Sequence, residues 1–311
     1  MQAPWPEIPY AAWKETCAAL HLQAQVLGKY RLAHTPWLNH SWHATLYLTA
    51  WGLTTSPVPD GPGAIDLSLD LLDHAVVGRA ADGRAGRFPL GPGSIADFHA
   101  RVLHLVRWLG GTATLDPHPN EIPGAVPFPE DTAPRPYDGD AVRRFFGALV
   151  HVDRVFKRFR TSFLGKATPV HLFWGSFDLA VTRFSGRTAP RHPGGVPGLP
   201  DAVTREAYSH EVSSAGFWPG GSGADEAAFY SYAYPSPEGF GQAAVAPAEA
   251  GFDPKLGEFL LPYAAVRSAK DPEAKLLEFL RTTYEAAATL GRWDRAALEC
   301  PPGQLGHPRP V

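Results

Sequence analysis

A long and mainly apolar segment near the middle of the chain reads Val170-His171-Leu172-Phe173-Trp174-Gly175-Ser176-Phe177-Asp178-Leu179-Ala180-Val181. β-Branched and aromatic residues are frequent in it, which is typical of a β-strand. A comparable segment, 128 residues earlier, reads Trp42-His43-Ala44-Thr45-Leu46-Tyr47-Leu48-Thr49-Ala50-Trp51. At this offset residues 10–56 align with residues 138–184 without a gap, and His43 aligns with His171. We therefore predict one strand in each segment and an internal duplication.

Helical patterns precede both strands. Apolar residues recur at spacings of three and four in residues 10–32 and again in residues 140–163, with Asp138 or Asp140 as the expected N-cap of the second helix. Helices over residues 94–109 and 271–290 are expected to close the two halves, the first capped by Ser94. The predicted fold class is α+β, built from pseudo-duplicated helix–antiparallel sheet–helix units.

The duplication divides the chain. The first α+β half is expected to cover residues 1–116, a proline-rich linker residues 117–137 and the second half residues 138–300, followed by a tail at 301–311. Residues 185–225 have no counterpart in the first half and form a Gly/Pro-rich insertion, expected to contain little regular structure. Its large side chains lead us to expect that it packs over the sheet as a lid.

Composition excludes several classes of protein. A net charge of −3 with well-mixed charges argues against nucleic-acid and membrane-surface partners. No apolar run approaches the roughly 18 residues of a spanning helix, and the N-terminal residues do not resemble a signal peptide, so we expect a cytoplasmic protein. Two cysteines exclude a disulfide framework and a zinc site of four thiolates. Phosphate-binding glycine motifs and the serine-hydrolase elbow are absent from the sequence.

Four stretches carry a resemblance to a known family. They are Trp5-Pro6-Glu7-Ile8-Pro9-Tyr10, Thr35-Pro36-Trp37-Leu38-Asn39-His40-Ser41-Trp42-His43, His171-Leu172-Phe173-Trp174-Gly175-Ser176-Phe177-Asp178-Leu179, and the insertion from Ala202 to Gly221. Together they resemble a bacterial family catalogued as a domain of unknown function. The resemblance covers nearly the whole chain and implies no reaction, cofactor or catalytic residue.

The insertion supplies the candidate metal ligands. His192, His210 and Glu211 match a set of two histidines and one carboxylate, which iron, manganese or zinc accept. The cofactor itself is unknown, and a divalent metal is one candidate. The alternative is that His210 and Glu211 fasten the loop by hydrogen bonds, because neighbouring residues on a strand point to opposite faces.

Further candidates lie on the strands and in the insertion. Asp178, His171 and Tyr208 are the candidate catalytic residues, and Trp174, Trp218, Arg205 and His43 are the candidate substrate-binding residues. A carboxylate in an apolar strand needs a partner, so Asp178 is either a general base or metal ligand, or one member of an ion pair with Arg183, Arg187 or Arg205. His43 and His171 are either half-buried structural residues or a pair that faces one cleft.

Two functions remain open. The first is an enzyme that acts on a small organic molecule in a pocket between the sheets and the insertion. The second is a binding or assembly protein without catalysis, in which the insertion forms an aromatic pocket or a subunit contact. Three or more ionisable groups converging on one pocket would favour the enzyme, whereas dispersed histidines around an apolar pocket would favour the binding protein.

Overall fold

A computed structural model of the chain describes residues 4–221 and 225–309. Seven α-helices occur in this part of the chain: α1 (Tyr10–His34), α2 (Ile95–Trp108), α3 (Gly139–Arg160), α4 (Asp201–Ala207), α5 (Tyr263–Arg267), α6 (Pro272–Leu290) and α7 (Arg295–Leu298). None of the helices in these two ranges is both long and apolar enough to cross a bilayer.

The strands form two antiparallel sheets. The first has the order β1 (Tyr47–Leu48), β2 (Gly52–Thr54), β3 (Ile65–Asp70), β4 (Ala75–Ala80) and β5 (Ala85–Pro89). The second has the order β10 (Gly251–Asp253), β11 (Glu258–Pro262), β9 (Ala228–Tyr234), β8 (His210–Trp218), β7 (Asp178–Thr188) and β6 (His171–Phe173). Antiparallel sheets combined with helices confirm the predicted α+β class. The duplication stays a prediction.

The helices follow the predicted pattern. The apolar stripe of α3, which includes Val142, Phe145, Leu149 and Phe156, is buried. Asp138 caps this helix by accepting a hydrogen bond from the amide of Ala141 at 3.0 Å. Ser94 caps α2 in the same way. These side chains satisfy amide donors that have no partner within the helix.

The two sheets meet edge to edge. Leu46 and Leu172 form an antiparallel bridge with N–O distances of 3.0 and 2.8 Å, and this bridge joins the region of β1 to β6. Helix α1 crosses close to the junction. Its residues are buried almost all round, including the polar side chains Gln25 and Lys29.

Both long predicted strands are wrong in detail. Residues 49–51 form a turn between β1 and β2, because the Thr49 hydroxyl accepts hydrogen bonds from the amides of Trp51 and Gly52. Phe177, with φ of 58°, likewise turns the chain between β6 and β7. His43 lies in a turn before β1 whereas His171 begins β6, so the two histidines do not occupy matching strand positions.

The insertion contains more regular structure than expected. Strands β7 and β8 pair along most of their lengths, and α4 lies between them in sequence. Proline and glycine are concentrated in residues 189–200, which have no helix or strand assignment. Residues 222–224 of the insertion lie outside the described residues, as do residues 310–311 of the tail. Residues 301–308 of the tail are exposed, but the Gly303 amide donates a hydrogen bond of 2.9 Å to the hydroxyl of Thr161, the C-cap residue of α3.

Two helical glycines provide a test of this packing. A Cβ at Gly28 of α1 would lie 2.3 Å from the Trp174 ring, whereas one at Gly147 of α3 would meet nothing closer than Pro6 at 3.5 Å. Alanine in place of a helical glycine normally stabilises by about 0.5–1 kcal/mol. We therefore expect Gly147→Ala to raise the free energy of unfolding and Gly28→Ala to lower it by about 1–3 kcal/mol through overpacking. Urea denaturation measures both, and a stabilising Gly28→Ala would contradict the packing of Trp174 on α1.

Candidate functional site

A cavity of about 570 Å³ opens beside the junction of the two sheets. Helix α1, the turn between β6 and β7, strands β8, β9 and β11, and residues 196–208 form its walls. Aromatic and acidic side chains make up much of the lining: Trp37, Phe173, Trp174, Tyr208, Trp218, Tyr230, Tyr232, Asp116, Glu121, Asp178 and Glu258. Its volume is within the range of about 300–1,000 Å³ that is usual for small-molecule sites.

Strand register places several of these side chains on one face. Tyr230 pairs with Gly216 and Tyr232 pairs with Ser214, so both tyrosines project from the same side of β9. The ring of Tyr230 lies across Gly216, where a Cβ would be 2.3 Å from the ring. A glycine at this position therefore allows the hydroxyl of Tyr230 to reach Asp178 on β7.

Asp178 is the most deeply buried acid of the cavity, with 2% of its surface exposed. One carboxyl oxygen accepts a hydrogen bond from Ser176 and the other accepts one from Tyr230, both at 2.5 Å. Burial raises the pKa of Asp178, while the two hydroxyl donors act in the opposite direction. No ion pair with Arg183, Arg187 or Arg205 forms within the described residues, because these arginines bind Phe159, Glu211 and Asp201 respectively.

Two glutamates share the cavity with Asp178. Burial and then the charge of Asp178 raise the pKa of Glu121 to about 7. Burial, followed by the charges of Asp178 and Asp253, raises the pKa of Glu258 to about 8. Oε2 of Glu258 is buried and has no hydrogen-bond partner among residues 4–221 and 225–309. Both carboxyl groups are therefore able to exchange a proton near neutral pH.

The backbone around Glu121 is held by the insertion. Glu121 has a positive φ of 59°, and its amide donates to the carbonyl of Gly198 at 3.3 Å. A Cβ at Gly198 would lie 2.7 Å from the Glu121 amide nitrogen. The preceding residue, Asn120, exchanges hydrogen bonds of 2.8 Å with the side chain of Gln25 on α1. Contacts with Gly198 in the insertion and with Gln25 on α1 thus hold this part of the linker, and with it Glu121, at the cavity.

Tyrosine hydroxyls extend the polar network. Tyr208 and Tyr232 share a hydrogen bond of 2.9 Å, and burial raises the pKa of Tyr208 to about 12. The rings of Trp218 and Tyr230 lie 4.4 Å apart, and those of Tyr230 and Tyr232 are stacked at 6.1 Å. The tyrosines are therefore protonated near neutral pH, when they form an aromatic wall with hydroxyl donors at its edge.

Positive charge in the cavity is already neutralised. Lys29, with 4% of its side chain exposed, forms an ion pair with Asp116 at 2.8 Å. His40 also lines the cavity, where burial lowers its pKa to about 4, so its ring is neutral near pH 7. Its Nδ1 lies 3.2 Å from the carbonyl of Ala207, which favours the tautomer that donates from this nitrogen.

Four of the residues selected from the sequence line this cavity: Asp178, Tyr208, Trp174 and Trp218. The indole nitrogen of Trp174 donates to the carbonyl of Ala44 at 2.6 Å, which fixes the ring between α1 and the cavity. Their chemical roles stay predictions.

The remaining selected residues lie elsewhere. His171 is completely buried against Phe173 with its pKa lowered by burial, and His43 packs on Trp37. His192 stacks on the ring of Tyr208 at 4.9 Å without lining the cavity. Arg205 donates to the backbone carbonyls of His192 and Pro193 and pairs with Asp201.

The candidate metal ligands are not brought together. His210 is exposed, and Glu211 accepts hydrogen bonds from Ser185 and Arg187 at 2.7 Å. Adjacent positions on β8 direct these two side chains to opposite faces. Over the described ranges, no group of three His, Cys, Asp or Glu side chains is arranged to hold a metal ion. The contacts of Glu211 are those of a residue that fastens the strands, the alternative left open by the sequence.

Sequence reasoning missed both glutamates. Glu121 lies in a proline-rich linker, and only its tertiary contacts bring it to the cavity. Two signals were present in the sequence: Glu258 is a lone charge beside Phe259 and Leu260, and tyrosine recurs at positions 230, 232 and 234 with the period of a strand face.

Comparison with known proteins identifies a family. The model of a family described as "Family of unknown function (DUF5996)" matches residues 5–300, nearly the whole chain. No curated protein and no solved structure matches the sequence.

The raised pKa of Glu258 predicts a pH-dependent stability. Folding favours the protonated carboxyl, so its stabilising contribution is complete below the ordinary pKa of 4.5 and is lost as the pH rises through about 8. Glutamine is neutral throughout. We expect Glu258→Gln to exceed wild type in free energy of unfolding at pH 9 by on the order of 1–3 kcal/mol, with a much smaller difference at pH 5.

Urea denaturation at both pH values measures this difference. Glu238→Gln is the matched control, because Glu238 is exposed and does not line the cavity. An effect of Glu258→Gln that is the same at pH 5 and pH 9 would contradict the burial of an ionisable Glu258.

Proposed function

The chain belongs to the DUF5996 family, a family of unknown function, and we propose that it is an enzyme that acts on a small organic molecule by acid–base catalysis in the cavity around Asp178. The observation that carries the proposal is the convergence on one aromatic cavity of three carboxyl groups, those of the buried Asp178 and of the half-buried Glu121 and Glu258. Burying an ionisable group without a charged partner costs stability, and acids with perturbed pKa values cluster at functional sites.

The environments of the carboxyl groups suggest different roles. Glu258, with a pKa of about 8, carries a proton at neutral pH and would act as the proton donor. Glu121, with a pKa of about 7, is partly ionised there and would act as the proton acceptor. Asp178 receives two hydroxyl hydrogen bonds, and its charge is the second cause, after burial, of the raised pKa of each glutamate. Asp178 would therefore position and tune the two glutamates instead of reacting itself.

The substrate would be enclosed by the segment around α4. Leu199, Val203 and Tyr208 line the cavity from this side, and Glu121 is fastened to Gly198 below it. This arrangement supports the expected site between the sheet and the insertion. A metal is not needed for the proposed proton transfers, and the cofactor of the protein stays unknown.

We also infer that the chain arose by duplication. Each half starts with a long helix, α1 or α3, continues through antiparallel strands and closes with α2 or α6. The first strands of the two halves approach each other at the Leu46–Leu172 bridge, as expected for units related by a pseudo-twofold axis. The cavity would then belong to the second unit, where the insertion was added. The cytoplasmic location also stays a prediction.

Deuterium exchange offers a test that does not require a known product. The purified protein would be incubated in deuterium oxide with a mixture of amines, amino acids, sugars and hydroxy acids, followed by mass spectrometry. Because a general acid and base exchange protons with solvent, we expect wild type to convert at least one compound class or to place deuterium on its carbon atoms. Deuterium on carbon is the informative signal, because N–H and O–H positions exchange without an enzyme.

Variants identify the site of any reaction. Glu258→Gln and Glu121→Gln should each lower the rate by about 100-fold or more, the usual size of a general acid–base contribution. The exposed-site variant Glu238→Gln should retain the full rate. A compound that binds in the cavity and is recovered unchanged and unlabelled would contradict the enzyme and favour the binding protein.

A further inference from the structure

The charges around the cavity are unbalanced. Lys29 is already paired with Asp116 at 2.8 Å, and His40 is neutral near pH 7. Within residues 4–221 and 225–309, no ion pair reaches Glu121, Asp178 or Glu258. A ligand that entered this space would meet three acidic groups and no free basic side chain among the lining residues.

One carboxyl oxygen also lacks any partner. Oε2 of Glu258 is buried without a hydrogen bond in the described chain. Both oxygens of Asp178, by contrast, already accept hydroxyl hydrogen bonds. An unpaired buried acceptor is costly, and a ligand that brings a hydrogen-bond donor or a positive charge would remove the cost.

The aromatic walls favour the same kind of ligand. The rings of Trp218 and Tyr230 line the cavity with centroids 4.4 Å apart, and Trp174 in the β6–β7 turn lines it as well, with the Lys29 ammonium 5.9 Å from the centroid of its ring. Faces of tryptophan and tyrosine attract cations, and aromatic cages with nearby acids are a common means of binding ammonium groups. The apolar part of such a ligand would pack on the remaining rings.

We propose that the ligand of this cavity is an organic cation, namely an amine or quaternary ammonium group attached to an apolar body. The proposal rests on the proposed function for the location of the site and adds the substrate class. An anion would face repulsion from whichever of the acids is ionised, and a neutral polyol would supply no positive charge to these acids.

The test compares ligands of equal shape and different charge by isothermal titration calorimetry on the full chain. The first set is 2-phenylethylamine, 2-phenylethanol and phenylacetate, which are cationic, neutral and anionic near pH 7. The second pair is choline and its neutral analogue 3,3-dimethylbutan-1-ol. We expect at least one cation to bind about tenfold more tightly than its neutral partner, and phenylacetate to bind least.

A variant locates the binding. Glu258→Gln should lower the affinity for the cation about tenfold, because a bound cation favours the ionised carboxyl and glutamine cannot ionise, and it should leave the affinity for the alcohol unchanged. Glu238→Gln should change neither affinity, and melting temperatures of both variants verify that they fold. The proposal is overturned if the alcohols bind as tightly as the cations, if phenylacetate binds best, if no cation binds at millimolar concentration, or if Glu258→Gln leaves cation binding intact.

These outcomes are separate from failure of the proposed function. Suppose that wild type converts a neutral or anionic compound, or deuterates it on carbon, and that Glu258→Gln does not. This result would overturn the proposal of a cationic ligand and leave the acid–base enzyme standing. A cation that binds with the expected preference and is never converted would support the organic-cation ligand and overturn the acid–base enzyme.

Discussion

The rest of the site depends on the packing of the Trp174 side chain against α1. Its indole packs against Gly28 of α1 at a distance that admits no side chain, and its ring nitrogen donates to the carbonyl of Ala44. Its own carbonyl accepts a hydrogen bond of 2.9 Å from His21. One residue therefore connects the central helix, the turn before β1 and the β6–β7 turn. Asp178 follows four residues later, so this anchoring also sets the floor of the cavity.

The acidic side chains that line the cavity lower the stability of the fold. One buried and two half-buried carboxyl groups lie beside the aromatic wall, and loss of hydration raises the pKa of each. A well-packed apolar lining would stabilise the fold more, because a buried charge without a cationic partner is unfavourable. Proteins accept such a cost where a site needs it. The same geometry explains why the acids influence one another, since the charge of Asp178 is among the causes of both glutamate shifts.

The sequence predicted the features that depend on local pattern. The stripe of α3 and the caps Asp138 and Ser94 follow from helical spacing and side-chain chemistry, and they are present. The prediction of two long strands was wrong because the chain turns within each of them, at Thr49 through a hydroxyl hydrogen bond and at Phe177 through a positive φ. The apolar content of these segments does not reveal the turns. Asp178 was recognisable as an acid in an apolar strand. Glu121 was not, because Gly198 and Gln25 bring it to the cavity from distant parts of the chain.

In the proposed site, burial and the charge of Asp178 together raise the pKa values of Glu121 and Glu258. NMR titration of the carboxyl carbons in protein labelled with ¹³C-glutamate measures this directly in wild type and in Asp178→Asn, with Glu121→Gln and Glu258→Gln for assignment. We expect two wild-type carboxyls with pKa values of about 7 and about 8, both lowered when the charge at position 178 is removed. Titration of both carboxyls near the ordinary value of 4.5, or pKa values unchanged in Asp178→Asn, would contradict it.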